Sequence, residues 1–285
     1  NLAIHLSGHD IGEDNVAFLK NELKDAWGPT VDTAKSLLST YADSIILPVD
    51  VAANVEGNRI EELRRHGKYL IFRLSNGRSW IVHLRMTGAF LVSSGHHPRD
   101  RYERARIKIT SPSYTPEVVL VFNDVRRFGT WECVPTEHET DRIPSGPDAL
   151  AIHFTRDDLL DKLYSRATSL KAALLDQTVV AGLGNIYVDE ACFLAGIRPD
   201  RRTKNLSAKE VQRLYDAIGT TLNRALEQGG TSFRNYVDAF GIPGGALSHC
   251  QVYQRDGECC RICDSTILKI KHAGRGTHYC PVCQD

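Results

Sequence analysis

At 285 residues, 42% hydrophobic and 25% charged, the chain is long enough for two ordinary globular domains, each with its own core. No apolar run approaches the roughly 18 residues of a membrane span. The opening residues Asn1-Leu2-Ala3-Ile4-His5 lack the charged and apolar regions of a signal peptide, so the expectation is a cytoplasmic protein. Net charge is zero, yet it is unevenly spread: residues 1–60 carry four Lys/Arg against nine Asp/Glu, residues 61–110 eleven against four. Screening confines a charge to about 10 Å, so a local basic surface can hold phosphates whatever the total; a solvated strand face is the plainer alternative.

Residues 1–45 read as mixed and helical, with Val16–Leu19 and Ala34–Leu38 on amphipathic spacing. Ile45-Ile46-Leu47-Pro48-Val49 reads as a strand interrupted by proline. From Lys68 to Pro135 the pattern is β. Tyr69–Leu74 and Ser79–Leu84 flank Ser75-Asn76-Gly77-Arg78, a hairpin loop centred on asparagine-glycine. Ala105–Ile109 and Val118–Phe122 repeat the theme, which suggests a sandwich or barrel. Residues 136–147 turn polar and proline-bearing and read as an interdomain linker. Beyond them the period is helical. Thr155-Arg156-Asp157-Asp158 and Ser207-Ala208-Lys209-Glu210 each open a helix with a capping-box pattern.

Four of the eight cysteines fall as Cys260-x2-Cys263-x16-Cys280-x2-Cys283. Two residues between paired cysteines let both thiolates point at one ion from a tight turn, and two such knuckles complete a tetrahedral shell. Four sulfurs leave no open coordination position, so one structural Zn²⁺ is expected, a pair of adventitious disulfides being the plainer alternative. Cys259 breaks the spacing; Cys133, Cys192 and Cys250 read as buried apolar thiols. Between the knuckles, Gly274 and Gly276 flank Arg275 and suit a hairpin tip that presents the guanidinium outward, toward a phosphate or an unpaired base, or merely toward solvent.

Several motifs stand in a telling order: Arg64-Arg65-His66-Gly67-Lys68-Tyr69-Leu70, His83-Leu84-Arg85-Met86-Thr87-Gly88, Asp124-Val125-Arg126-Arg127-Phe128-Gly129 and Gly146-Pro147-Asp148-Ala149-Leu150. They continue as Gly182-Leu183-Gly184-Asn185-Ile186-Tyr187-Val188-Asp189-Glu190, Glu227-Gln228-Gly229-Gly230-Thr231 and Gln251-Val252-Tyr253. From about residue 56 onward the chain resembles the bacterial formamidopyrimidine-DNA glycosylases and their endonuclease VIII relatives. The formamidopyrimidine branch fits better, because Met86 and the Arg126-Arg127-Phe128 run form its usual trio.

The resemblance implies an α+β multidomain protein: an N-terminal β-sandwich, a helix-two-turns-helix domain and a C-terminal zinc-ribbon finger, with DNA in the cleft. The corresponding division is an atypical segment 1–55, the sandwich 56–135, a linker 136–150, the helical domain 151–248 and the finger 249–285. It also implies base-excision repair of oxidised purines, 8-oxoguanine and formamidopyrimidine, by a glycosylase with abasic-site lyase activity. The implied partner is double-stranded DNA with damaged bases or abasic sites, met by a monomer with no membrane association, in the bacterial cytoplasm at the nucleoid. Met86, Arg126 and Phe128 would enter the helix where the damaged base leaves. Lys68, Asn185 and Arg275 would grip phosphates, with Lys68 and Arg275 also acting as proton donors in strand cleavage. Arg127, Arg166, Lys171, Gly184 and Tyr187 complete the implied DNA surface. The plain alternatives are core packing for Met86 and Phe128 and a surface charge for Lys68.

Two departures stand out. The family's nucleophile is an N-terminal proline followed by glutamate, and the first 60 residues hold no Pro-Glu pair. Asn1 offers an α-amine but nothing secures its position, so the nucleophile is not identifiable; a catalytically inactive damaged-DNA or abasic-site binder is the alternative function, and a zinc-stabilised protein-interaction module a third. Residues 8–12, 32–35 and 45–52 weakly resemble a piece of phosphoglycerate kinase. Further on, Arg101-Tyr102-Glu103-Arg104 stands where the family has a DNA-contacting histidine, and Tyr102 or Arg104 is the candidate substitute.

Overall fold

The computed structural model describes residues 30–33, 49–94, 100–111, 114–230 and 244–285. The amphipathic stretches expected at 16–19 and 34–38, and Asn1, lie outside these residues. Two compact units emerge, Asn1–Ile143 with Leu226–Gly245, and Pro144–Ala225 with Ala246–Asp285.

The first unit is built on eight antiparallel strands: β1 (Thr30–Thr33), β2 (Asn58–His66), β3 (Tyr69–Leu74), β4 (Arg78–His83), β5 (Gly88–Ser94), β6 (Glu103–Ser111), β7 (Tyr114–Asp124) and β8 (Thr130–Pro135). Their order is β5-β7-β6-β1-β2-β3-β4-β8. β5 and β8 are the two ends of that order, yet Phe90 of β5 lies 5.6 Å from Trp131 of β8, and Phe122 of β7 lies 5.0 Å from it. Such contacts require the sheet to fold over on itself, which makes a sandwich. Its core interleaves Leu70, Phe72, Trp80 and Val82 with Phe90, Ile107, Leu120 and Phe122. Helix α1 (Val49–Val55) adds Val51 and Val55 to the same core. Here the sequence reading needs correction: Val49 opens a helix rather than ending a strand, while 45–48 lie outside the described residues.

The β3–β4 loop turns at Gly77, whose N–H donates to Leu74 O over 3.1 Å with φ +73°. The polar stretch expected to be a linker begins as a 3-10 helix, Thr136–Asp141, and its Glu139 is buried. Glu139 accepts from Arg73 Nε at 3.1 Å, from Ser79 Oγ at 2.7 Å and from Arg64. Three donors offset the cost of sinking a carboxylate and fasten this stretch to the sandwich.

The second unit holds α2 (Arg156–Tyr164), α3 (Leu170–Leu175), α4 (Asn185–Ala195) and α5, which runs Ala208–Glu227. Both capping boxes form. Thr155 and Asp158 exchange bonds, as do Ser207 and Glu210, each satisfying amides the first helical turn leaves unpaired. The four helices share one core around Leu159, Leu174, Val188, Leu214 and Ile218. The finger hairpin, β9 (Leu268–His272) and β10 (Arg275–Tyr279), belongs to the same unit, and Phe193 of α4 packs with Val252 and Ile267 beside the knuckles. Among the described residues, no helix is long and apolar enough to cross a membrane.

Candidate functional site

On the first unit, the β4–β5 loop carries Met86 and the β7–β8 loop carries Arg126, Arg127 and Phe128. All four are exposed, Met86 by 68% and Phe128 by 48%, which removes the core-packing alternative for these two. The Arg126 guanidinium lies 4.5 Å from the Phe128 ring centroid and 3.4 Å from Met86 Sδ, so the three side chains form one projecting cluster. Beneath it Asp124 is buried and accepts from Gly129 N at 2.7 Å, from Arg126 N at 3.2 Å and from the Thr87 hydroxyl.

Lys68 is half-buried in the two-residue turn Gly67-Lys68 between β2 and β3, where Gly67 has φ +57°. His83, not singled out from the sequence, stands nearby, edge-on to Tyr69 at 4.6 Å. Burial, helped by the positive charges of Arg85 and Lys68, pushes its pKa down to about 3, and its Nδ1 accepts from Arg85 N at 2.9 Å. It is therefore a neutral imidazole that offers Nε2–H. Arg104, a candidate DNA contact, spends its guanidinium on the carbonyls of Asp124 (2.9 Å) and Arg101 (3.3 Å). Tyr102 lies under Arg101 at 4.5 Å.

On the second unit, Gly182 (φ +112°) and Gly184 lead into α4. Gln177 holds this glycine loop: its Oε1 accepts from Gly182 N at 3.1 Å and its Nε2 donates to Leu183 O at 3.0 Å. The Gly146–Leu150 motif braces it too, through Ala181 N to Pro147 O and Ala149 N to Ala181 O, 2.8 and 3.0 Å. A Cβ at Gly146 would come within 2.4 Å of Gln177 O, so only glycine fits. Tyr187 is half-buried against the helical core. Arg166 donates to Thr178 Oγ1 at 2.6 Å and pairs with Asp176 at 3.3 Å.

Lys171 requires a correction. Expected on the DNA surface, it is instead wholly buried, with Nζ 2.6 Å from Asp189 Oδ1 and donating to Gly276 O at 3.1 Å. Asn185 Nδ2 donates to the same carbonyl at 3.2 Å, and Asp189 Oδ2 accepts from His278 N at 3.0 Å. Burial drives the Lys171 pKa down while Asp189 pulls it back up. Two helices thus hold the finger hairpin at Gly276 and His278, on either side of Thr277 and next to Arg275. The hairpin reverses at Ala273-Gly274, both with positive φ (49° and 71°), the backbone of a type I′ turn, and Arg275 next to it is exposed.

The four sulfurs of Cys260, Cys263, Cys280 and Cys283 lie within 4.8 Å of one another, with Cys260–Cys283 at 3.8 Å and Cys263–Cys280 at 3.5 Å. A tetrahedron with Zn–S of about 2.3 Å has edges of roughly 3.8 Å, so the donor set fits zinc. Ser265 Oγ, 2.9 and 3.2 Å from Cys263 and Cys280 Sγ, is placed to donate to the thiolates. Cys259 is exposed and outside the cluster; Cys133, Cys192 and Cys250 are buried, as expected.

Comparison with known proteins covers all three parts. The model of the formamidopyrimidine-DNA glycosylase N-terminal domain matches residues 15–131, that of the formamidopyrimidine-DNA glycosylase H2TH domain residues 145–237, and that of the zinc finger found in FPG and IleRS residues 257–285. Formamidopyrimidine-DNA glycosylase of Herpetosiphon aurantiacus is 41% identical over 236 residues, 82% of this chain and 84% of its own. That of Carboxydothermus hydrogenoformans is 37% identical over 271 residues, 90% and 98% of the two chains. The chain belongs to the formamidopyrimidine-DNA glycosylase family. The N-terminal domain model reaches back to residue 15, into the segment 1–55. Among solved structures, a Lactococcus lactis FPG variant in complex with Fapy-dG-containing DNA matches with a TM-score of 0.78 at 32% identity, covering 100% of this chain and 99% of its own. The Lactococcus lactis Fpg complex with abasic-site DNA gives 0.77 at 34%, covering 97% and 100%. The one structural zinc of this family's finger is held by Cys260, Cys263, Cys280 and Cys283.

Proposed function

We propose that this chain removes oxidised purines, 8-oxoguanine and formamidopyrimidines, from double-stranded DNA and cleaves the strand at the abasic site that results. The observation that carries the reading is the exposed Met86–Arg126–Phe128 cluster in a member of this family, because two large apolar side chains and a guanidinium projecting together into solvent stabilise no core. Extruding a base costs a few kcal/mol of lost stacking; Met86 and Phe128 fill the gap, and Arg126 offers donors to the orphaned base. Arg127 supplies a phosphate contact beside them. Lys68 and Arg275 hold phosphates around the flipped nucleotide and donate protons to departing oxygens, and Asn185 keeps one Nδ2–H for the same backbone while the other holds the hairpin. Arg166 and the amides of the Gly184 turn extend that contact, since a helix start with glycine lets a phosphate approach closely. Attack of an amine on the sugar C1′ expels the base with the electron pair of the glycosidic bond. The C1′–O4′ bond then opens, a proton going to O4′, to give a ring-opened iminium, and loss of its C2′ proton expels the 3′ phosphate with the electron pair of the C3′–O bond. The site of action is the bacterial nucleoid.

Borohydride trapping tests this. Reduction during incubation with 8-oxoguanine DNA should yield a covalent protein–DNA adduct, and peptide mapping of that adduct identifies the amine. Intact lesion binding with no adduct would mean a damaged-DNA binder instead.

A further inference from the structure

The β7–β8 loop holds a conformation that its exposed side chains do nothing to enforce. Arg127 sits at φ +58°, in the left-handed region that costs a non-glycine residue roughly 1 kcal/mol. Its neighbours Arg126 and Phe128 make no backbone ladder. What fixes them is underneath. Asp124, 1% exposed, directs Oδ2 at Gly129 N (2.7 Å) and Oδ1 at Arg126 N (3.2 Å), closing the loop at both ends. The Thr87 hydroxyl donates to the same carboxylate and accepts from Arg126 N at 3.1 Å, which ties the neighbour of Met86 to the other loop. Glycine is required at both margins. A Cβ at Gly129 would lie 2.6 Å from Phe122 Cζ, and one at Gly88 2.4 Å from Leu84 O.

We infer that Asp124, acting with Thr87, is the positioning residue of the wedge: it preassembles Met86, Arg126 and Phe128 in the geometry that enters DNA. The inference rests on the reading of those three residues as the wedge. Preassembly matters because ordering two loops during base extrusion would add conformational entropy to a step that already loses stacking. Both carboxylate oxygens are needed. A carboxamide has one acceptor oxygen, so Asp124→Asn must turn an N–H toward either Gly129 N or the Arg126–Thr87 side. Thr87→Val removes the bridge between the loops but not the closure at Gly129, and Thr87→Ser keeps it.

The test is a duplex with 2-aminopurine opposite a tetrahydrofuran abasic-site analogue, whose fluorescence reports insertion without any chemistry, read beside circular dichroism and zinc content. Asp124→Asn and Thr87→Val should lose most of the fluorescence change and slow 8-oxoguanine excision on the order of tenfold, the scale of a lost hydrogen bond to a charged group. Binding to the analogue, carried by phosphate contacts, should stay within about threefold, and Thr87→Ser should match the parent protein. A parent-like fluorescence change in Asp124→Asn and Thr87→Val overturns the inference. Should Asp124→Asn fail to fold, the contrast between Thr87→Val and Thr87→Ser decides by itself. Parent-like signals from Met86→Ala and Phe128→Ala would overturn the wedge reading itself, which separates the two failures.

Discussion

Replacing Asp189 by asparagine should loosen the finger hairpin far more than a single hydrogen bond would. The parent carboxylate receives Lys171 Nζ at 2.6 Å and His278 N at 3.0 Å, and neither Lys171 nor Asp189 is exposed at all. Removing one partner of such a pair strands a charge in an apolar interior, at a cost of about 3–5 kcal/mol. The alternative, releasing the proton from a lysine of ordinary pKa near 10.4 at pH 7, costs a similar amount at about 1.4 kcal/mol per pH unit. Against the total stability of roughly 5–15 kcal/mol usual for a domain, this is a large fraction. Lys171→Met should cost less, because His278 still satisfies one oxygen of Asp189. The double variant should be more stable than the two single effects predict, by about 2 kcal/mol, within the range for residues in one network. Trp80 and Trp131 belong to the other unit, so their fluorescence is the wrong probe. Urea-induced zinc release and hydrogen exchange at Thr277 and His278 read the hairpin directly. Unchanged zinc release and exchange in Asp189→Asn would refute the claim that this pair clamps Arg275.

Other outcomes follow from the same geometry. Cys263→Ser should lose stoichiometric zinc and the hairpin's protection from exchange, since binding energy at such sites is folding energy; retention of one zinc per chain would exclude this ligand set. Affinity for abasic-analogue DNA should fall steeply as salt rises from low to physiological, and Lys68→Ala and Arg275→Ala should each weaken it by roughly 1–3 kcal/mol and flatten the salt slope. Affinity indifferent to salt would favour a protein-interaction module. The unfolded chain protonates His83 near pH 6.5, whereas the folded chain resists until about pH 3. The unfolded state therefore binds more protons in that window, and sandwich stability should decline as pH falls from 6.5 toward 3. His83→Gln should shallow that decline, and an unaltered profile would show that His83 is not held neutral. Thr155→Ala should cost about 1 kcal/mol by removing the α2 cap, measured by urea unfolding.

How much of this was legible in the sequence depended on how local the cause was. Strands β3 and β4 announced themselves through short apolar runs around Asn76-Gly77. β2 did not, because Asn58–His66 is mostly charged and half-exposed along its length. The zinc ligands were readable because their spacing is itself the geometry, and the capping boxes because three residues suffice. Lys171 was misread, and Glu139 passed over, for the opposite reason. A lysine and a glutamate look like surface residues until their partners are known. Asp189 and Gly276 lie 18 and 105 residues from Lys171, and Arg64, Arg73 and Ser79 lie 75, 66 and 60 from Glu139. Asp124 was visible within its motif, but its role needs the Thr87 loop beside it, 37 residues away.

The most direct test of the central claim is a single-turnover reaction on a duplex with one 8-oxoguanine opposite cytosine, following the free base by mass spectrometry and the lesion strand by gel. Release of 8-oxoguanine together with a strand break at that position is the expected result. A lesion strand that stays intact, with its base retained while the protein remains bound, would contradict it.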